Sequence, residues 1–347
     1  MRTPRRTRII LAALAVLGLL AASAAIAMAA TVTGTTGDDR LFGSPADDQI
    51  TALEGNDRVR GLAGNDTIDL GPGNDRATAG RGDDSVTAGD GDDRVGGGAG
   101  NDTIGGGPGR DRLWGQDGND TISGLAGDDR IWGGPGDDAL QGDVPGTGDL
   151  FSNDRIWGGS GNDTISGGDA RDRLAGGDGN DTVRGDAGDD RMSGGTGDDT
   201  QYGGDGNDRI YANVGVDTTY GEAGNDDLWA LARADVTPGP AGETDTVGDT
   251  LDGGAGDDTC HTRGGEIDRI TCGDGTDTAK LDLADVIADA TLQNPNGSCE
   301  KVERKDLGAP KGYGRGMRRG HGNDDTGSED LGQQQAQQDE GQRPQGL

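Results

Sequence analysis

From Gly34 to Trp229 one nine-residue phrase is restated, as in Gly118-Asn119-Asp120-Thr121-Ile122, Gly161-Asn162-Asp163-Thr164-Ile165 and Gly206-Asn207-Asp208-Arg209-Ile210. Indexed on its aspartate, it recurs without a slip at Asp39, Asp48, Asp57, Asp66, Asp75, Asp84, Asp93, Asp102, Asp111, Asp120, Asp129 and Asp138. It then resumes at Asp154, Asp163, Asp172, Asp181, Asp190, Asp199, Asp208, Asp217 and Asp226, giving 21 copies. In 18 of them a Gly stands two residues before the Asp, and in 19 an apolar residue stands two after it. A disordered chain has no use for such strict phase. Each copy is therefore one structural unit, able to bury its apolar residue only by stacking on its neighbours.

Within a copy, the Gly at position four tolerates positive φ, and the Asn or Asp at position five (Asn56, Asn65, Asp83, Asp92) tolerates it better than most residues. The first six residues therefore read as a turn. Positions seven to nine, such as Arg130-Ile131-Trp132, read as a three-residue strand with its middle side chain inward and the flanking two outward.

Position seven carries a second period. It runs Arg40, Gln49, Arg58, Thr67, Arg76, Ser85, Arg94, Thr103, Arg112, Thr121, Arg130, Ala139, and after an interruption Arg155, Thr164, Arg173, Thr182, Arg191, Thr200, Arg209, Thr218. Arginine alternates with small or polar residues, so the unit is eighteen residues, with odd strands in one sheet and even strands in the other. The expected fold is all-β, a parallel β-roll of about ten coils, roughly 50 Å long at one strand spacing per coil. The phase survives the added residues at 144–152, which read as a surface loop.

Composition limits the core. With 71 Gly, 3% aromatic and 29% hydrophobic residues, a chain of 347 residues cannot fill two ordinary packed interiors. The formal charge is −33, a balance that without counter-ions favours disorder.

The phrase G-G-x-G-x-D-x-U-x, with U apolar, resembles the RTX or hemolysin-type calcium-binding family over well over half of the chain. The resemblance implies that Ca2+, a hard cation taking six to eight oxygens, binds between stacked turns to the position-six aspartates Asp39 through Asp226 and to nearby carbonyls. It implies roughly one ion per turn, about 20, whose charge would nearly cancel that of the mature chain. Local departures mark the weaker sites. Position five is Arg110, Arg171 and Val216 in three copies, position four is Ala46, Ser152 and Ala170, and the inward residue is Gln201 and Thr219 near the end, where fraying is expected.

Residues 1–30 carry Arg2, Arg5, Arg6 and Arg8, an apolar run from Ile9 to Leu20 and small residues through Ala27-Met28-Ala29-Ala30, the pattern of a cleaved signal peptide, with a retained membrane anchor as the alternative. Removal of the signal peptide takes the formal charge from −33 to −37 and places the protein in a secreted, extracellular setting, with the cell surface an alternative. The roll itself covers 31–229. Residues 230–248 read as an irregular loop, 249–305 as degenerate repeats and a cysteine-containing cap, and 306–347 as a disordered tail. One disulfide is expected, Cys272 with Cys299 or Cys260 with Cys272. His261 and His321 lack a second ligand and read as solvated.

No nucleophile elbow, H-E-x-x-H or non-repeat region large enough for a catalytic domain is found. The sequence thus points to a secreted calcium-binding repeat protein acting as an extracellular binding or structural module, not an enzyme. The rivals are an exported hydrolase or lyase of the same family and a calcium buffer or surface scaffold. All four Trp (Trp114, Trp132, Trp157, Trp229) share an outer face with the Arg series. Self-packing of that face is one expectation, and contact with an extracellular polysaccharide or acidic polymer is the other. Nucleic acid is not expected as a partner, and membrane contact is expected only through the signal peptide.

Overall fold

The computed structural model describes residues 8–9, 28–146, 152–231, 248–263, 267–291, 294 and 296–305. Most of the expected signal peptide, the tip of the 144–152 loop, nearly all of 230–248 and the whole tail 306–347 lie outside the described residues.

The chain is a two-sheet parallel β-solenoid with no helix among the described residues. Odd strands form one 15-stranded sheet, whose first edge is the short pair Arg8–Ile9, and even strands form a 14-stranded sheet. Each strand pairs in register with the strand one coil away, as Thr103 with Thr121 and Ile104 with Ile122, or Arg112 with Arg130 and Leu113 with Ile131. The hydrophobic alternation dictates this register, because a slip of one residue would turn every inward Ile, Leu and Val to solvent. The core is a double file of these side chains, among them Leu41, Ile50, Ile68, Leu113, Ile131 and Ile156, all essentially inaccessible.

Three details differ from the sequence reading. The solenoid has about 13 turns instead of ten, because Thr250–Asp252, Thr259–Arg263, Arg269–Thr271, Thr278–Leu281, Val286–Ile287 and Lys301–Arg304 continue both sheets. At one strand spacing per coil its length is therefore about 60 Å. Strands of the Arg sheet run six residues, not three, as in Arg58–Ala63. They continue through position one of the next copy, and so two residues per repeat face inward. The second is usually Gly, but Ala52, Leu70, Ala79 and Ala88 occupy it and are fully buried. Finally, the inward polar pair does not leave a gap: Thr219 Oγ1 donates to Gln201 Oε1 at 3.2 Å, and Gln201 Nε2 donates to the Tyr211 carbonyl at 3.1 Å.

The interruption at 144–152 leaves the stack intact. Arg130–Pro135 pairs directly with Arg155–Ser160, and Ala139–Gln141 with Thr164–Asp169. At the C-terminal end Cys272 is bonded to Cys299, with Cα atoms 5.1 Å apart, whereas Cys260 is a free, buried thiol pairing across the sheet with Leu228 and Ala279.

Candidate metal centre

Position four bends the chain back at each turn. Gly118 has φ 129°, and a Cβ there would also strike the carbonyl oxygen of Gly100 one coil below, so the position needs glycine on both counts. This close stacking of turns sets the geometry of the aspartate that follows.

All 21 predicted aspartates are buried, each at most 4% exposed. They lie in two files, one along each edge of the solenoid. In each file the backbone N–H of one Asp donates to Oδ1 of the Asp one coil further on, as Asp66 to Asp84 at 2.7 Å and Asp75 to Asp93 at 2.7 Å. The files cross the interruptions unbroken: Asp129 donates to Asp154 at 2.8 Å, Asp138 to Asp163 at 2.8 Å and Asp217 to Asp249 at 3.0 Å. Beyond the predicted set they continue through Asp249 to Asp268, Asp258 to Asp277 and Asp277 to Oε2 of Glu300. These later members were legible only as degenerate copies, since an insertion and a ten-residue step from Asp258 to Asp268 break the count of nine.

The second oxygen has a different fate. Oδ2 of Asp66, Asp75, Asp84, Asp111, Asp129, Asp172 and Asp208, among others, is buried without a hydrogen-bond partner. Where position one of the same copy is Gly, as at Gly61, Gly106 and Gly167, Oδ2 lies beside it together with a carbonyl oxygen from the next coil. A Cβ built on Gly61 would overlap both Asp66 Oδ2 and the Ala79 carbonyl oxygen, and one on Gly158 would overlap Asp163 Oδ2 and the Gly176 carbonyl oxygen. In the copies with Gly at position one, two electron-rich oxygens from different coils thus converge on the space a Cβ would take, and no donor intervenes. Burying a carboxylate oxygen this way is costly unless a cation answers it.

The titration behaviour follows. Burial is the largest influence on these groups and raises them, while the backbone N–H at Oδ1 acts the other way. The carboxyls of Asp129, Asp172 and Asp217 are pushed up to about 9, those of Asp75, Asp111 and Asp138 to about 7, and those of Asp84 and Asp102 to about 6. The N-terminal pair differs: Oδ2 of Asp39 accepts from Thr35 N at 2.6 Å and Thr35 Oγ1 at 2.8 Å, and Oδ2 of Asp48 accepts from Ser44 N. Among the described residues no three His, Cys, Asp or Glu side chains gather into one cluster. The donor set at each turn is therefore one carboxylate plus carbonyls, all hard oxygens suited to Ca2+.

Comparison with known proteins accords with this donor set. The family described as "RTX calcium-binding nonapeptide repeat (4 copies)" matches residues 33–68, 69–104, 105–140, 151–174, 166–201, 202–228 and 248–266. The chain belongs to the RTX calcium-binding repeat family. No curated protein sequence matches it. Among solved structures, this RTX chain is similar to a hyperactive, Ca2+-dependent, beta-helical antifreeze protein from an Antarctic bacterium. That likeness has 18% identity and a TM-score of 0.34, over 88% of this chain and 98% of that one. The last matched RTX segment, 248–266, contains Asp249 and Asp258, the first two members of the files beyond the predicted set.

Proposed function

We propose that this RTX protein is a secreted, non-enzymatic module that takes up calcium along both aspartate files, about one ion per turn, and that its solenoid forms as it does so. The observation that carries the reading is the buried, unpartnered Oδ2 of the file aspartates, which in the glycine-bearing copies converges with a carbonyl oxygen of the next coil. The ligands would be Oδ2 of the position-six aspartates and backbone carbonyls such as those of Ala79 and Gly176. Bound Ca2+ would supply the positive charge and oxygen coordination that the stacked carboxylates lack. The chain's own part is to hold those oxygens: as the coils stack, a neighbouring N–H pins Oδ1 and leaves Oδ2 turned to the ion. Asp39 and Asp48, whose Oδ2 already accepts donors, would be the weakest members. Export through the leader at 1–30 would bring the chain to the millimolar calcium such modules use. The outward Arg and Trp face is the part proposed to meet an acidic polymer or polysaccharide.

The test is a calcium titration followed by far-ultraviolet circular dichroism. A disordered spectrum in chelator, with cooperative gain of β-signal at about 0.1 to 1 mM calcium, is expected. A fully formed sheet in excess chelator would overturn the reading.

A further inference from the structure

The Arg series forms one continuous column. Arg40 pairs across the sheet with Arg58, Arg58 with Arg76, Arg76 with Arg94, Arg94 with Arg112, and so on through Arg130, Arg155, Arg173 and Arg191 to Arg209. Ten guanidinium groups thus repeat at one strand spacing, about 4.8 Å. Like charges directly opposite each other across a sheet are unfavourable unless something answers them. Among the described residues Arg112, Arg130, Arg155 and Arg173, the middle of this column, form no salt bridge. The carboxylates nearby are engaged elsewhere, Asp128 with Arg110 at 2.9 Å and Asp189 with Arg171 at 2.8 Å.

The adjacent aromatic row does not relieve this charge. Trp114, Trp132 and Trp157 lie on each other, with ring centroids 5.1 Å apart and planes within 4° and 8° of parallel. Both faces of Trp132 are spent on self-packing, and among the described residues the cation–π contacts shown are Arg184 on Tyr202 and Arg191 on Tyr211. The Trp row is therefore a wall beside the column and not a stacking platform for sugars.

Along the other side of the column runs a groove of about 460 Å³, lined by Arg112, Arg130, Arg155 and Arg173, by file aspartates such as Asp111 and Asp129, and by a mixed turn row in which Asp92 and Asp128 alternate with Arg110 and Asn153. We infer that this groove binds a linear carboxylated polysaccharide of the uronate type, laid parallel to the solenoid axis. The inference rests on the proposed contact of this face with an acidic polymer and names its chemistry. The carboxylates of such a chain would meet successive guanidinium groups, which match a carboxylate fork to fork. Its hydroxyls would donate to the row of Asp92 and Asp128. A polyphosphate or a nucleic-acid phosphate backbone offers the first contact without the second.

The experiment uses the calcium-folded full chain and oligogalacturonate too short to gel, with its methyl ester, inorganic polyphosphate and single-stranded DNA alongside. The readouts are calorimetric affinity and circular dichroism at one calcium concentration. Oligogalacturonate is expected to bind in a salt-sensitive manner and its methyl ester not to bind. R130Q/R155Q should bind the oligomer about tenfold or more weakly while its calcium midpoint for folding does not rise, because two aligned charges have been removed. Unchanged affinity in R130Q/R155Q would mean that calcium bridges the sugar at the turns, and would overturn the groove. Tighter binding of polyphosphate or DNA than of oligogalacturonate would overturn the uronate. Absence of binding to a chain that folds normally with calcium would overturn this inference and leave the calcium reading standing. Binding by a chain that is already folded in chelator would do the reverse.

Discussion

At the scale of the residue, the same aspartate carries two duties, and its two oxygens divide them. Oδ1 ties one turn to the previous one, and Oδ2 waits for a cation. Replacing Asp129 by Asn keeps an acceptor for the Asp111 N–H, bonded at 2.7 Å, but removes the charge. D129N is expected to raise the calcium midpoint of folding and to increase residual β-signal in chelator, two opposite shifts that a calcium titration followed by circular dichroism resolves. The pH dependence has the same origin. These carboxyls sit at about 6 to 9 in the fold against an ordinary value of 3.8, so protonation favours the fold. That support is fully present below the ordinary value and is lost as pH rises through 6 to 9. In chelator, therefore, β-signal should grow as pH is lowered from 9 to 5, and a flat profile would show that burial of the carboxylates is not what opposes folding. The inward and outward positions were legible in the sequence because side-chain period fixes them, and so was the turn aspartate. The division between Oδ1 and Oδ2 was not, since it depends on a glycine five residues upstream and a carbonyl eighteen residues beyond that glycine.

At the scale of the strand and the turn, outward rows are as regular as the core. The Trp114, Trp132 and Trp157 stack makes a packing contact of each ring, worth on the order of 1 kcal/mol per pair beyond area burial. Trp132→Ala is expected to raise the calcium midpoint while leaving oligogalacturonate affinity within a factor of about two. A loss of affinity with unchanged folding would instead make the aromatic row the binding element. The cap behaves as another local unit. Cys272 and Cys299 tie the last coils to the segment that ends at Lys301–Arg304, and reduction should speed amide exchange at residues 278–304 while leaving 58–134 protected. The sequence left the pairing open between two combinations, because spacing alone does not say that Cys260 replaces a core aliphatic beside Leu228. Strand length was also underestimated. The glycines of position one, whose side of the strand cannot be read from a hydrogen atom, extend each Arg-sheet strand and hide a second inward row.

At the scale of the molecule, the eighteen-residue unit governs what can be removed. Deleting residues 115–132 takes out one whole coil and sets Arg155 beside Arg112, so both folding and groove binding should survive. Deleting residues 115–123 removes half a coil, keeps the nine-residue core phase, and moves every later Arg to the other sheet. That variant should still fold with calcium but lose oligogalacturonate binding, since its column is cut in two. Retained binding in the half-coil deletion would show that the groove is not the site. The number of turns was misjudged from sequence for a related reason: a solenoid tolerates an insertion between Asp217 and Asp249, or a ten-residue step after Asp258, provided the next aspartate still reaches the N–H one coil back.

Because every aspartate file points the same way, the two ends of the solenoid are chemically unlike. Shortening it from the N-terminal side strands a carboxylate oxygen, which water serves readily. Shortening it from the C-terminal side strands a backbone N–H inside a tight turn, where water has little access and the lost acceptor is missed more keenly. At that second end each file has its own stopper: Glu300 accepts from Asp277 N at 2.8 Å, and Asp285 Oδ1 accepts from Asp268 N at 3.3 Å. Growth or trimming of such a chain is therefore directional: new coils graft at one end with little preparation, whereas at the other they succeed only if a terminal acidic side chain travels with them.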